Sequence, residues 1–520
     1  MKPALEEVRK LAKNKAYRRI PVYRELLSDR FTPIEVMRTL RAASRHCYLL
    51  ESADSHQKWG RYTFLGFDPL LELTCTNGKM RIRTGFQDEE SSEEFSPATE
   101  TFNELPEDVM DIISRPGTWY FNTQHPGEMI REILNAYKTP HLEGLPTFTG
   151  GLVGYFSYEY IQYGEPSLRA LFDESGPFCD VDLMLFDRVI AFDHYRQQLI
   201  LIAGVNTRNV EMSYREAERQ LDRIEELLDS QAKAHFKPLH MEGNLETVFS
   251  EEAYCAMVEK ARHYIREGDI FQVVLSNPME VKATGSLFDA YRVLRTTNPS
   301  PYMFYFTSDN IEIAGASPET LAKLENGVLH TFPLAGTRPR GKTDVEDDRL
   351  EKELLADEKE RAEHNMLVDL GRNDLGKISR LGSVKVEKYM QIQRFSHVMH
   401  IGTTVSGEIE EGKDAVDAVD AILPAGTLSG APKIRACQII RELEGRRRGV
   451  YGGAIGYLDF TGNLDTCISI RLAYKKNGKI CVQSGAGIVA DSVPQKEFVE
   501  CRNKAQAVIG ALTAAQGGIR

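Results

Sequence analysis

The chain has 520 residues, with 64 Lys+Arg against 76 Asp+Glu and a formal net charge of −12. Hydrophobic residues make up 42% and charged residues 27%, the balance of a globular protein with a large core; this excludes disordered, collagen-like and disulfide-scaffold chains. The acidic excess argues against general nucleic-acid binding, which needs a basic face.

The most apolar run, Leu199–Val205, is far shorter than the ~18 residues of a membrane-spanning helix. Near the N-terminus, Glu6 and Glu7 stand where a signal peptide needs apolar residues. The eight cysteines (47, 75, 179, 255, 437, 467, 481 and 501) form no CxxC pair and no metal-like spacing with histidine. Reduced thiols and a cytoplasmic location are expected.

Taken in chain order, the stretch from Thr84 to Asp108 is the most polar and reads as a solvated loop or insertion. Leu221, Ile224, Leu227 and Leu228 predict a helix over about 213–228. The pattern lapses from Asp229 to Asn244, where Pro238 and Gly243 are breakers. This suggests an N-terminal lobe over 1–240 and a second domain over 245–515. Beyond the boundary, Tyr254, Met257, Val258, Ala261, Tyr264 and Ile265 form a helical stripe. Strands are predicted at 270–275, 303–306, 311–314 and 328–332, followed by one long helix over about 347–370. Three consecutive strands are predicted at 453–460, 466–474 and 480–484, joined by turns at Thr461-Gly462-Asn463 and Lys476-Asn477-Gly478. A last helix starts near Pro494. Hairpin-linked strands with helices gathered around them indicate an α+β fold with antiparallel sheets.

Two Glu-x-x-Glu pairs stand out. At ~100° per residue, Glu363 falls with Met366, Leu367 and Leu370 in the apolar stripe of its helix, and Glu360 falls on the stripe's edge. In the last helix Glu497 and Glu500 flank an apolar face of Cys501, Ala505, Val508 and Leu512, with Lys504 one turn on. Buried carboxylates are costly unless paired or metal-bound, and two such pairs can converge on a hard cation such as Mg²⁺. A solvated helix with a Lys359–Glu363 pair is the alternative. Glycine-rich turns at 424–433, 451–453 and 485–487 could cradle an anion, with Arg471, Lys433 and Lys504 supplying charge. The GxGxxG-like run at Gly485 is not followed at once by a helix, and too little chain remains for a dinucleotide fold. His397 and His400 are candidate proton-handling groups, and His364 is a candidate orienting group beside the glutamates. There is no GxSxG, Walker A or HExxH motif, and no Gly-x-Cys-x-Gly glutaminase elbow.

Read together, these segments resemble the anthranilate synthase component I family of chorismate-utilising enzymes. The matching pieces are Ile270–Val274, Asn298–Met303, Pro333–Gly341, Glu363–Leu370 with Arg372–Asp374, Gly426–Lys433, Tyr451–Tyr457 and Gly485–Lys504. They cover most of residues 250–510 in family order. Leu49–Ser52 and Lys58–Tyr62 look like the family's regulatory lobe.

The resemblance implies a chorismate-utilising fold of two interleaved lobes that forms anthranilate and pyruvate from chorismate and ammonia, with Mg²⁺, in tryptophan biosynthesis. It further implies ammonia supplied by a glutamine amidotransferase subunit (component II) in a heterotetramer, and feedback inhibition by tryptophan. On that basis Glu363 and Glu500 match direct metal ligands, and Glu360 and Glu497 match carboxylates reached through water. Tyr451, Arg471 and Gly485-Ala486-Gly487 match binders of the pyruvyl side chain, and Lys504 matches a partner of the ring carboxylate. Thr337 and Thr427 match active-site hydroxyls, and His400 a proton-handling group. Glu51, Ser52, Pro301, Tyr302 and Met303 match a tryptophan site, with the Glu51 carboxylate on the α-ammonium group. Two positions separate the relatives. Aminodeoxychorismate synthases carry a nucleophilic lysine where this chain has Ala335, in a Pro-Leu-Ala-Gly-Thr segment that the family writes Pro-Ile-Ala-Gly-Thr. Isochorismate and salicylate synthases carry a water-activating lysine where this chain has Gln272. Both departures favour attack by ammonia without covalent catalysis. The alternatives are aminodeoxychorismate synthase component I and a catalytically silent, tryptophan-responsive subunit.

Overall fold

The computed structural model describes all residues except 53–57, 87–99, 103–107, 173–175, 177, 231, 395–397 and 520. Among the described residues the strands form two thirteen-stranded sheets. Their strand pairings are antiparallel apart from Glu100–Phe102 beside Gly117–Asn122. That parallel strand lies in the stretch expected to be a loop.

Alternation along the strands sorts side chains into layers. Cys47 and Leu49 of strand Cys47–Glu51 face a helical layer, whereas Tyr48 joins Phe64, Tyr155, Phe304, Ile455 and Cys467 between the two sheets. Helices Pro33–Ala43, Val210–Asp229, Phe288–Thr297 and Pro494–Ala515 cover the outer face of the first sheet. Helices Pro126–Ala136, Glu358–Gly376 and Ala415–Ile422 cover the second. The order is therefore helix, sheet, sheet, helix. Both sheets run across the boundary expected near residue 240. In the first, Cys47–Glu51 pairs with Tyr302–Thr307; in the second, Gly151–Phe156 pairs with Ala454–Asp459.

Two sequence expectations change in ways that matter for the site. The single long helix is two, Asp344–Ala356 and Glu358–Gly376. Asp357 separates them because its side chain accepts from the N–H groups of Lys359 and Glu360, capping the second helix. The strand expected over 466–474 is also two. Leu464–Ile468 lies in one sheet and Leu472–Lys476 in the other. Arg471 sits at this crossing with φ +53°, a left-handed conformation that turns the chain from one sheet to the next. A neighbouring crossing lies at Pro318-Glu319, between Ile311–Ser317 and Thr320–Glu325. The crossings run side by side, with Ile468 N–H donating to the Glu319 carbonyl and Ala316 N–H to that of Arg471.

All eight cysteines are free thiols. Among the described residues no helix is long and apolar enough to cross a membrane.

Candidate active site

Glycines set the shape of one wall. The Gly485-Ala486-Gly487 run lies inside strand Lys479–Ile488, not in a turn as its composition suggests. Strand Leu472–Lys476 pairs with it only as far as Val482, so beyond that point one backbone edge is released from the ladder beside Arg471. A Cβ on Gly485 would stand 3.0 Å from the Tyr451 hydroxyl, and one on Gly487 2.6 Å from Gln272 Nε2. The Leu275 carbonyl oxygen, 2.7 Å from the Gly485 Cβ position, excludes a side chain there, whereas at Gly487 only the far end of the Gln272 side chain stands in the way. Gln272 is 5% exposed, and its Oε1 is buried without a hydrogen-bond partner. Burial pushes the Arg471 guanidinium below its ordinary pKa, with Tyr451 opposing the shift.

The opposite wall comes from strand Leu334–Pro339. Its pairing slips between Ala335 and Thr337, where Gly336 has φ +69°. This bulge aims the Gly336 carbonyl at His400 Nδ1, 2.9 Å away, with Thr337 Oγ1 at 3.1 Å. A carbonyl only accepts, so Nδ1 carries the proton and the neutral ring keeps its basic lone pair on Nε2. Burial lowers the His400 pKa, and nearby Arg471 lowers it further.

The two glutamate helices face each other across the cleft. On Glu358–Gly376 the buried face is His364, Leu367, Val368 and Leu375, which reverses the expected order of the carboxylates: Glu360 is half-buried and Glu363 is solvent-accessible. Glu360 is also held by Arg338, at 3.4 Å. Protein atoms still crowd Glu363; that crowding, then Glu360, holds its carboxyl above the usual range, with Glu500 adding to the effect. On the C-terminal helix Cys501, Ala505, Val508 and Leu512 are buried as expected, leaving Glu497 and Glu500 at the margin. Burial and then the neighbouring Glu500 raise the Glu497 pKa. Lys504 Nζ lies 2.9 Å from Glu500. The donor set is four carboxylates, of which Glu363 is repelled by Glu360 and Glu500 and Glu497 by Glu500, a chemistry that suits a hard divalent cation. Among the described residues no three potential ligands are already gathered in a metal shell.

Several expected roles go elsewhere. His364 is fully buried, its Nε2 lies 2.6 Å from Thr403 Oγ1, and burial pushes its pKa down to about 4. It packs beneath its helix and does not orient the glutamates. Lys433 is committed to Asp374 and the Ile422 carbonyl, both at 2.8 Å. His397 lies outside the described residues.

The residue that sequence reasoning missed is Glu319. Thr427 donates its hydroxyl to Glu319 Oε1 at 3.3 Å, and burial pushes the Glu319 carboxyl up to about 8, against the opposing pull of Thr427 and Lys504. A narrow cavity of about 30 Å³ behind the pair is lined in part by Leu367, Gly371 and Gly426. The only available signal was a Pro-Glu dipeptide between two apolar strands.

In the other lobe, Glu51 and Met303 are direct cross-strand partners, which places Ser52, Pro301 and Tyr302 at the same strand ends. The Glu51 carboxylate, expected to meet an α-ammonium group, instead accepts from Arg295 Nε at 2.7 Å and from the Tyr291 hydroxyl. Tyr302 donates its hydroxyl to Asp465 at 2.7 Å.

A family described as chorismate binding enzyme matches residues 86–510, and the chain belongs to it. Within that family it is similar to anthranilate synthase component 1 of Acetivibrio thermocellus, 44% identical over all of this chain and 99% of the relative. It is likewise similar to the protein of that name from Aquifex aeolicus (strain VF5), 42% identical over 99% of this chain and 98% of the relative. The crystal structure of anthranilate synthase component I from Streptococcus pneumoniae TIGR4 superposes with a TM-score of 0.69 at 36% identity, covering 86% of this chain and 92% of that one. The menaquinone-specific isochorismate synthase of Escherichia coli shares the fold, with a TM-score of 0.62 at 18% identity over 98% of this chain and 99% of that one.

Proposed function

We propose that the chain converts chorismate and ammonia into anthranilate, pyruvate and water. The observation that carries this reading is the arrangement of one cleft. It holds an anion-binding edge (Arg471, Tyr451, Gly485–Gly487), a carboxyl poised as an acid (Glu319 with Thr427) and a neutral imidazole (His400). Arg471 and the released strand edge hold the side-chain carboxylate of the substrate, and Lys504 the ring carboxylate. Glu319, protonated at neutral pH, gives its proton to the departing ring hydroxyl as ammonia attacks the ring, an acid's task matched to its raised pKa. His400 Nε2 then takes the proton from the aminated ring carbon, the ring C–O bond to the enolpyruvyl group breaks, the ring becomes aromatic, and the released enolate takes up a proton to become pyruvate. Ala335 and Gln272 offer no amine nucleophile or base at the positions where relatives use lysine, which supports direct attack by ammonia.

Mg²⁺ fits the carboxylates of Glu363 and Glu500, with Glu360 and Glu497 behind them, and when bound supplies positive charge for the ring carboxylate. Ammonia comes from a separate amidotransferase subunit, in keeping with the component 1 name of the relatives. Tryptophan binds between Ser52 and Pro301–Met303 and inhibits. Because the Glu51 carboxylate is already bound by Arg295 and Tyr291, it organises this site from behind.

The direct test is to incubate the purified chain with chorismate, Mg²⁺ and ammonium and follow anthranilate fluorescence and pyruvate release. Equimolar anthranilate and pyruvate are expected. An aminated product that keeps its side chain would assign the chain to the aminodeoxychorismate reaction, and no product would leave a binding role.

A further inference from the structure

Arg448 is 2% exposed, and four of its N–H groups are used within the fold. Nε and Nη2 form a fork onto Glu444, at 2.9 and 2.5 Å. Nη1 donates to the Leu428 carbonyl at 2.7 Å, and Nη2 to the Val274 carbonyl at 2.7 Å. The guanidinium also lies 4.6 Å from the ring centroid of Tyr158 and 5.8 Å from that of Tyr451. Glu444, itself 4% exposed, accepts from Ser276 N–H at 2.8 Å.

Each of these anchors belongs to a different part of the cleft. Leu428 follows Thr427, the hydroxyl donor to Glu319. Val274 lies two residues from Gln272 on one strand and is the register partner of Gly487 on the next. Tyr451 lies against Gly485. A buried ion pair is a poor source of net stability, because desolvation offsets most of its attraction. A planar fork does, however, fix the relative geometry of the groups it joins. We infer that Arg448 is a positioning residue: without touching substrate, it sets Thr427, Gln272 and Tyr451 at the spacing the reaction needs.

The inference rests on the activity proposed above, so anthranilate formation by the wild-type chain is the control; its absence would count against that activity, not against Arg448. Arg448→Lys keeps the charge and loses the fork. It is expected to fold, to lower kcat at least tenfold, and to move the alkaline limb of the kcat–pH profile upward, because the Thr427 hydroxyl pulls the Glu319 pKa down and its loss releases it. Thr427→Val should move the limb in the same direction, and the two changes together should be less than additive, as for coupled neighbours. A purely structural role would leave the limb in place and give additive losses. Arg448→Met with Glu444→Leu removes both buried charges together and protects against a fold defect from an unpaired charge; it should be folded and similarly slow. Wild-type kcat in either folded variant overturns the assignment. Failure of both to fold overturns it too, making Arg448 a determinant of the fold.

Discussion

Thr427 and Glu319 meet across the cleft at 3.3 Å, hydroxyl to carboxyl, where the chain passes from one sheet to the other. Burial keeps that carboxyl protonated to about pH 8, so kcat should fall as pH rises through 8. Glu319→Gln should lower kcat at least a hundredfold, the lower end of the roughly 10²–10⁴-fold range for a lost general acid. The same proton links to stability. A carboxyl raised in the folded state contributes stability fully present below its unfolded value near 4.5 and lost as pH rises through 8. The melting temperature of Glu319→Gln should therefore gain on that of the wild type between pH 4.5 and 8. Parallel melting curves across that window would show that Glu319 is not buried as described.

Divalent metal should be required. Glu363 and Glu497 are raised by crowding and by their neighbouring carboxylates, so Mg²⁺ binding should tighten as pH rises through the carboxylate range, measurable by calorimetry. Glu363→Gln and Glu500→Gln should each cut activity more than a hundredfold. Unchanged turnover in excess EDTA rules the metal out.

Glycine positions give a graded test. Gly487→Ala meets only the far end of Gln272, at 2.6 Å, and should fold while raising KM for chorismate or lowering kcat about tenfold. A Cβ on Gly485 would stand 2.7 Å from the Leu275 carbonyl oxygen, inside the strand pairing. Gly485→Ala should therefore cost roughly 1–3 kcal/mol, as overpacking does, read as a lower melting temperature. Equal stability and kinetics in both variants would separate these glycines from the site.

Tryptophan sensitivity should divide Ser52 from Glu51. Ser52→Phe fills the proposed effector pocket and should abolish inhibition with little effect on basal turnover. Glu51→Gln weakens the bond to Arg295 and should lower stability by roughly 1.5–3 kcal/mol, the range for a hydrogen bond to a charged group. It should still bind tryptophan detectably by calorimetry. If Ser52→Phe keeps full sensitivity, the effector site lies elsewhere.

Local features were legible because they depend on near neighbours in sequence. Periodicity located helix Glu251–Arg266 and the buried stripe Cys501–Leu512, and breakers and turns located the last strands. Segment resemblance led to the cleft residues His400, Thr427, Arg471 and Lys504. The same local view made one helix where Asp357 caps a second, and one strand where Arg471 turns the chain between sheets. It also ranked Glu363 above Glu360 for burial, since partners from Arg338 and the opposite helix carry no periodic mark. Glu319 and the partners of Glu51 were out of reach altogether. A carboxyl's pKa and its hydrogen bonds depend on what distant segments bring against it, and here Thr427 lies 108 positions from Glu319 and Arg295 lies 244 from Glu51. The sequence alone determined which residue types were available to the site; packing the two sheets together decided which of them are buried, paired or left holding a proton.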